Sequence, residues 1–155
     1  MIPKFRAWKK AGKELGRVGQ ITFELDGSVS CVLFKGKFLD FNVPINEIVL
    51  MQSTGLKDKN GKEIFEGDIL KFNDEWNEYC HEGYVDGSVE GVNCVEVVKG
   101  EACFEFGKTR YPESSLFIHM EDEHLSFAEL VNDKDFEFKI IGNIYESPEL
   151  LEEKE

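Results

Sequence analysis

The sequence predicts a mainly β fold on three observations. Apolar and polar residues alternate with period two through most segments, glycine-containing turn dipeptides separate those segments, and residues 50–70 encode a hairpin whose register can be derived from charge. In the run Leu56-Lys57-Asp58-Lys59-Asn60-Gly61-Lys62-Glu63-Ile64, a two-residue Asn60-Gly61 turn would set Lys59 against Lys62 and Asp58 against Glu63. Like charges facing across a ladder are destabilising. A three-residue loop, Lys59-Asn60-Gly61 with Gly61 in the left-handed bulge position, instead pairs Asp58 with Lys62, Lys57 with Glu63 and Leu56 with Ile64.

The elements follow in order. Phe5 and Ala7 alternate with Arg6 and Trp8, and Ile21, Phe23 and Leu25 alternate with Thr22 and Glu24 before an Asp26-Gly27 turn that Val29, Cys31 and Leu33 answer. Lys35-Gly36 marks a second turn, residues 38–43 a further strand, and Pro44-Ile45-Asn46-Glu47 a helical turn leading into Ile48-Val49-Leu50-Met51. Residues 73–81 read as polar and irregular. Tyr84-Val85 and Val89 then flank an Asp86-Gly87-Ser88 turn, and Lys99-Gly100 separates Val95-Glu96-Val97-Val98 from Cys103-Phe104-Glu105-Phe106. Near the end, Ser126 and Glu129 have the spacing of a capping box, and Leu125 and Leu130 that of a hydrophobic staple, so a helix starts there. Phe136, Phe138 and Ile140 alternate with Glu137 and Lys139 in a strand continuing through Tyr145, with Gly142 a bulge candidate. Ser147-Pro148 opens a short terminal helix that folds Leu150-Leu151 back onto the β body, and the tail 152–155 frays. The chain reads as one domain, 1–155, with a soft subdivision around 73–82.

Size and charge bound the function. A chain of 155 residues buries roughly 68–70% of its unfolded surface and needs no staple. The net charge of −13 argues against a general nucleic-acid or anionic-membrane binder. That charge is uneven: residues 1–20 hold six Lys or Arg against Glu14, a net of +5, while 113–155 hold thirteen Asp or Glu against Lys134, Lys139 and Lys154, a net of −10. Cys31, Cys80, Cys94 and Cys103 form no close C-x-x-C pair, and no apolar signal core or membrane-length run appears. Reduced thiols in a cytoplasmic protein are the expectation.

Three segments carry a family likeness: Lys4-Phe5-Arg6-Ala7-Trp8, the central residues 50–70, and Ile141-Gly142-Asn143-Ile144-Tyr145-Glu146-Ser147-Pro148-Glu149-Leu150-Leu151. Together, in this order and spacing, they resemble the YopX family of phage and prophage proteins. Ser53 and Phe65 depart from it, standing where a bulkier residue, often Tyr, is expected. The resemblance implies an SH3-like small β-barrel with additional N-terminal strands and short helices near the C-terminus, and a phage or prophage source in a bacterial host cell. It implies no activity, because the family has no established biochemical function and no recognised catalytic or ligand residues.

Each residue group with chemical potential also has a plain structural role. Glu66-Gly67-Asp68 reads as a turn, with Gly67 at positive φ and Asp68 accepting backbone hydrogen bonds; a carboxylate pair or divalent-ion site there lacks a third ligand. Cys80-His81, Cys94, Cys103, His119 and His124 offer zinc ligand types without ligand spacing. Cys94 and Cys103 lie in apolar strand contexts and read as core thiols, whereas Cys80 lies in a polar stretch; a Cys80 nucleophile assisted by His119 or His124 has no local signature. Phe5, Arg6 and Trp8 suggest a stacking and charge patch, but a packed strand beside an acidic body fits better. The sequence therefore predicts no catalytic residue, no metal site and no cofactor, and leaves the binding residues unspecified. The expected function is that of a non-catalytic accessory protein with a protein partner or self-association through the basic N-terminal arm. The alternative is an acidic DNA mimic that occupies a host DNA-binding cleft.

Overall fold

Period-two segments become ten strands in the computed structural model, which describes residues 4–79, 85–101, 103–111, 114–121 and 126–152, and the side chains of these except 76–79 and 85–89. The chain divides into two compact units, Met1–Gly55 and Leu56–Glu155.

The first unit is built from β1 (Phe5–Lys9), β2 (Glu14–Phe23), β3 (Val29–Lys35), β4 (Asp40–Pro44) and most of β5 (Ile48–Lys57). With β6 (Glu63–Phe65) they form a sheet of order β4-β3-β2-β1-β5-β6. Ala7, Val32, Phe34, Val43 and Ile48 are buried on one face, with Val18, Phe41 and Leu50 packed against them. Across that face the Lys9 ammonium of β1 sits 4.5 Å over the Phe41 ring of β4, three strands away. A short 3-10 turn, Ile45–Glu47, follows Pro44 as expected. The strand faces differ from the alternation read in sequence. Val32 and Phe34 supply the core from β3, while Phe23 is 61% exposed and Leu25 fully so. Apolar residues occupy both faces of β3, and two register shifts between β2 and β3, at Val18/Gln20 and Thr22/Phe23, change which parity points inward.

The second unit contains β7 (Asp68–Tyr79), β8 (Val85–Lys99), β9 (Phe104–Thr109) and β10 (Lys139–Asn143) in the order β10-β7-β8-β9. One face carries Leu70, Phe72, Val95, Val97 and Phe106, covered by Leu116 of α1 (Leu116–Met120), Leu130 of α2 (Phe127–Val131), Phe136 and Phe138. The Phe138 ring stacks on Phe106 at 5.1 Å and lies 5.2 Å from Phe72. The opposite face buries Ile69 and Cys94 under Leu151 of a terminal 3-10 turn, Pro148–Leu151. Each large side chain so buried contributes about 1.5–3 kcal/mol. The capping box at α2 is present in both directions, Ser126 Oγ accepting from Glu129 N–H at 3.2 Å and Glu129 Oε2 from Ser126 N–H at 3.4 Å. Leu125, the expected staple partner, lies outside the described residues.

The charge-selected loop register is observed. Asp58 N–H donates to Lys62 O at 2.8 Å, Gly61 N–H to Asp58 O at 3.0 Å, and Gly61 has φ +81°. Gly142 follows a register shift against β7, the bulge expected from its sequence position.

The expected SH3-like barrel does not form. A barrel requires a ladder that closes on itself, whereas β4 and β6 remain edges of one sheet and β10 and β9 edges of the other. Helices on one face and the terminal turn on the other bury the second sheet without closure, and the fold is mixed α and β. Two local readings also change. β7 runs through residues 73–79, and Asp86-Gly87-Ser88 lies within β8, with Asn77 opposite Ser88 and Glu78 opposite Gly87. Weak local turn chemistry yields here to a long interstrand ladder.

Candidate functional site

Alternation along β7 turns Phe72 and Asp74 toward the core and Asn73 and Glu75 outward. The ladder with β10 ends where Lys139 meets Lys71. Beyond it Asn73 N–H still donates to Phe136 O at 2.8 Å, and Asn73 Nδ2 to Asp135 O at 3.2 Å, so the segment before β10 stays beside β7.

Asp74 is 3% exposed and its charge is fully engaged. Oδ1 accepts from Glu75 N–H (2.8 Å), Ser115 N–H (3.0 Å) and Ser115 Oγ (2.7 Å), while Oδ2 accepts from Asn93 Nδ2 at 2.9 Å. The buried Asn93 amide donates as well to Tyr111 O (3.0 Å), and its Oδ1 accepts from Cys94 N–H (2.8 Å) and Tyr111 N–H (3.0 Å). This network ties the chain leading into α1 to the sheet. A satisfied buried network of this kind rigidifies what it touches, so Asp74 and Asn93 are the foundation of a site rather than its reactive groups.

Above that foundation lies a cleft of about 600 Å³. Its lining includes Glu75, Glu90, Asp133, Asp135 and Val92, together with His119 and Phe136. Glu75 and Glu90 are exposed and directly opposite each other in the β7–β8 ladder. Like charges in that arrangement are destabilising. Asp133 Oδ1 accepts from Asp135 N–H at 2.8 Å, which fixes the turn presenting both carboxylates. His119, on α1, sets its ring edge-on to Phe136 at 5.4 Å. Val92, in the lining, is 45% exposed, so apolar surface accompanies the acids.

The residues singled out in the sequence are dispersed. Gly67 has φ +86°, and Asp68 Oδ2 accepts from Phe65 N–H at 2.8 Å, which makes Glu66-Gly67-Asp68 a turn with a buried carboxylate. Cys94 is a core thiol; its burial pushes the thiol pKa up, against a smaller opposing effect of Arg110. Cys103 is exposed, contrary to its expected core role, because it sits in the loop before β9, and Cys31 is half-buried. Cys80, His81 and His124 lie outside the described residues, so the proposed Cys80 assembly is not in view. Among the described residues no three His, Cys, Asp or Glu side chains come together as a metal-binding group. Trp8 is buried and Phe5 half-buried, as a packed strand requires. Glu75, Glu90, Asp133 and Asp135 were not anticipated. For Glu75 and Glu90 the signal is the β7–β8 register, visible only once β7 is continued past Phe72; Asp133 and Asp135 join them through the segment held beside β7 by Asn73.

Fold and cleft together define a small protein of two antiparallel sheets that presents an acidic concave surface. The family model described as YopX protein matches residues 4–152, and the chain belongs to that family, a phage and prophage family of unestablished function. The crystal structure of protein EF1440 from Enterococcus faecalis is similar to it, with 28% identity over 98% of this chain and 99% of that one and a TM-score of 0.60. None of the curated proteins matches. No described helix is long and apolar enough to cross a membrane.

Proposed function

We propose that this chain is a non-catalytic accessory protein of the bacterial host cytoplasm that binds a basic, partly apolar protein segment in the cleft beside β7. The observation that carries the reading is the opposition of Glu75 and Glu90 across one ladder position, at the mouth of a cleft that also holds Asp133 and Asp135. A cationic side chain seated between the two glutamates relieves their repulsion, and the exposed Val92 beside them gives the same segment apolar contact. Charge bias agrees: residues 56–155 carry ten Lys or Arg against twenty-six Asp or Glu, a net of −16.

The test is calorimetric titration with a synthetic peptide that interleaves Lys with Phe and Leu, run at low and high salt. Binding should weaken as salt rises and fall at least about tenfold in the Glu75→Gln/Glu90→Gln variant, the scale of one lost charge-assisted contact. An unchanged affinity in that variant removes the cleft from the account. The DNA-mimic alternative rests on the same net charge without a cleft; it predicts salt-sensitive displacement of DNA from a host nuclease that the double variant leaves intact.

A further inference from the structure

Residues 1–55 carry a surface whose chemistry is the complement of the cleft. Lys35 pairs with Asp40 across β3 and β4, and the turn between them, closed by Gly36 N–H on Leu39 O at 3.1 Å, leaves Phe38 87% and Leu39 74% exposed. A turn needs no such residues, and burying either would stabilise by about 1.5–3 kcal/mol. The Lys37 ammonium lies 5.6 Å from the Phe38 ring. The β1–β2 turn is at the same end of the sheet, because Glu14, which pairs with Lys9, accepts the Lys37 N–H through Oε1 at 2.6 Å. That turn adds the exposed Lys10 and Lys13. The tip is thus two bare apolar side chains accompanied by Lys10, Lys13, Lys35 and Lys37 against Glu14 and Asp40, on a unit with eight Lys or Arg against five Asp or Glu.

Resting on the reading of the cleft given above, we infer that its partner is a second copy of this chain, the Phe38–Leu39 tip of one molecule entering the cleft of the next. Lys13 and Lys37 then face the Glu75/Glu90 and Asp133/Asp135 carboxylates, while Phe38 and Leu39 meet the exposed Val92. The other exposed apolar pair, Phe23 and Leu25, is flanked by Glu24 and Asp26 and would be repelled by the cleft. An anionic bilayer also offers lysines and a phenylalanine a matching surface, but the molecule's −13 opposes that approach, whereas the cleft supplies charge and apolar complement together.

Sedimentation of the full chain over a range of concentrations tests this, with Lys13→Glu/Lys37→Glu, Glu75→Lys/Glu90→Lys, and Phe38→Ser/Leu39→Ser variants whose changed side chains are all exposed. Wild type should self-associate more at low salt than at high, and each variant alone should have an association constant at least about tenfold lower. An equal mixture of the two charge-reversed variants should associate again, since each tip then meets an oppositely charged cleft. A native circular dichroism spectrum for every variant keeps unfolding from imitating the result. Association that persists in both reversed variants, or a mixture that stays monomeric, overturns the inference, as does a monomeric wild type that binds anionic vesicles. If wild type is monomeric while the basic peptide still titrates into the cleft, self-recognition fails and the cleft reading stands; if the peptide fails too, both fall.

Discussion

At the scale of single residues, carboxylates divide into those that build the fold and those that face outward. Asp58 is 7% exposed and joins three segments: Oδ1 accepts from Asn60 N–H and Lys62 N–H, both at 2.9 Å, and Oδ2 accepts from Ile140 N–H at 3.0 Å, eighty-two residues away. Hydrogen bonds to a charged acceptor are worth more than neutral ones, and an orphaned buried donor costs its full desolvation. Asp58→Ala should therefore lower stability by about 3 kcal/mol in urea unfolding, and Asp58→Asn by less, because one oxygen remains for the loop. Equal losses in the two variants would contradict this, showing that the oxygen asparagine retains holds nothing and that the charge and the second oxygen carry the whole effect. Glu96 contrasts with this: burial raises its carboxyl pKa, only partly opposed by Lys108, so it is held in place at the expense of its charged form. Asp74 belongs with Asp58, while Glu75, Glu90, Asp133 and Asp135 make up the outward group.

At the scale of elements, the β7–β8 hairpin holds the tension between stability and recognition. Replacing Glu90 by Lys puts an opposite charge across from Glu75 and should stabilise the protein by about 0.5–1 kcal/mol while weakening the Lys/Phe/Leu peptide at least about tenfold. Thermal unfolding and titration on the same sample check both; stabilisation without weakened binding would detach the pair from function. The local elements were legible where short-range chemistry decides them. Opposed charges chose the Asp58–Lys62 loop, Ser126 and Glu129 marked the start of α2, and Gly142 the bulge of β10. Legibility failed where partners are distant. Asn73, Asp74, Asn77 and Asp86-Gly87-Ser88 have turn-forming chemistry and become strand only because each other's ladder holds them. The site inherits that failure, since Glu75 and Glu90 meet through a register fifteen residues apart. Helix α1, five residues long, has its local signal in Ser114, whose Oγ accepts from Leu116 N–H at 3.1 Å.

At the scale of the whole molecule, the barrel was an expectation drawn from family likeness, and closure depends on strand edges that no local pattern encodes. The charge division is equally global: net +3 on residues 1–55 and −16 on 56–155. A tip of one molecule in the cleft of the next is a heterologous contact, which closes into a ring, a reciprocal pair being the smallest, or propagates as a filament according to the rotation per step. Everything functional in this account depends on the cleft being a recognition surface for basic segments. Amide chemical-shift mapping on isotopically labelled protein titrated with the Lys/Phe/Leu peptide measures that most directly. Saturable shifts should concentrate at Asn73, Glu75, Glu90, Val92 and Asp135; shifts scattered over all acidic surface, or concentrated away from β7 and β8, would contradict a recognition role for the cleft.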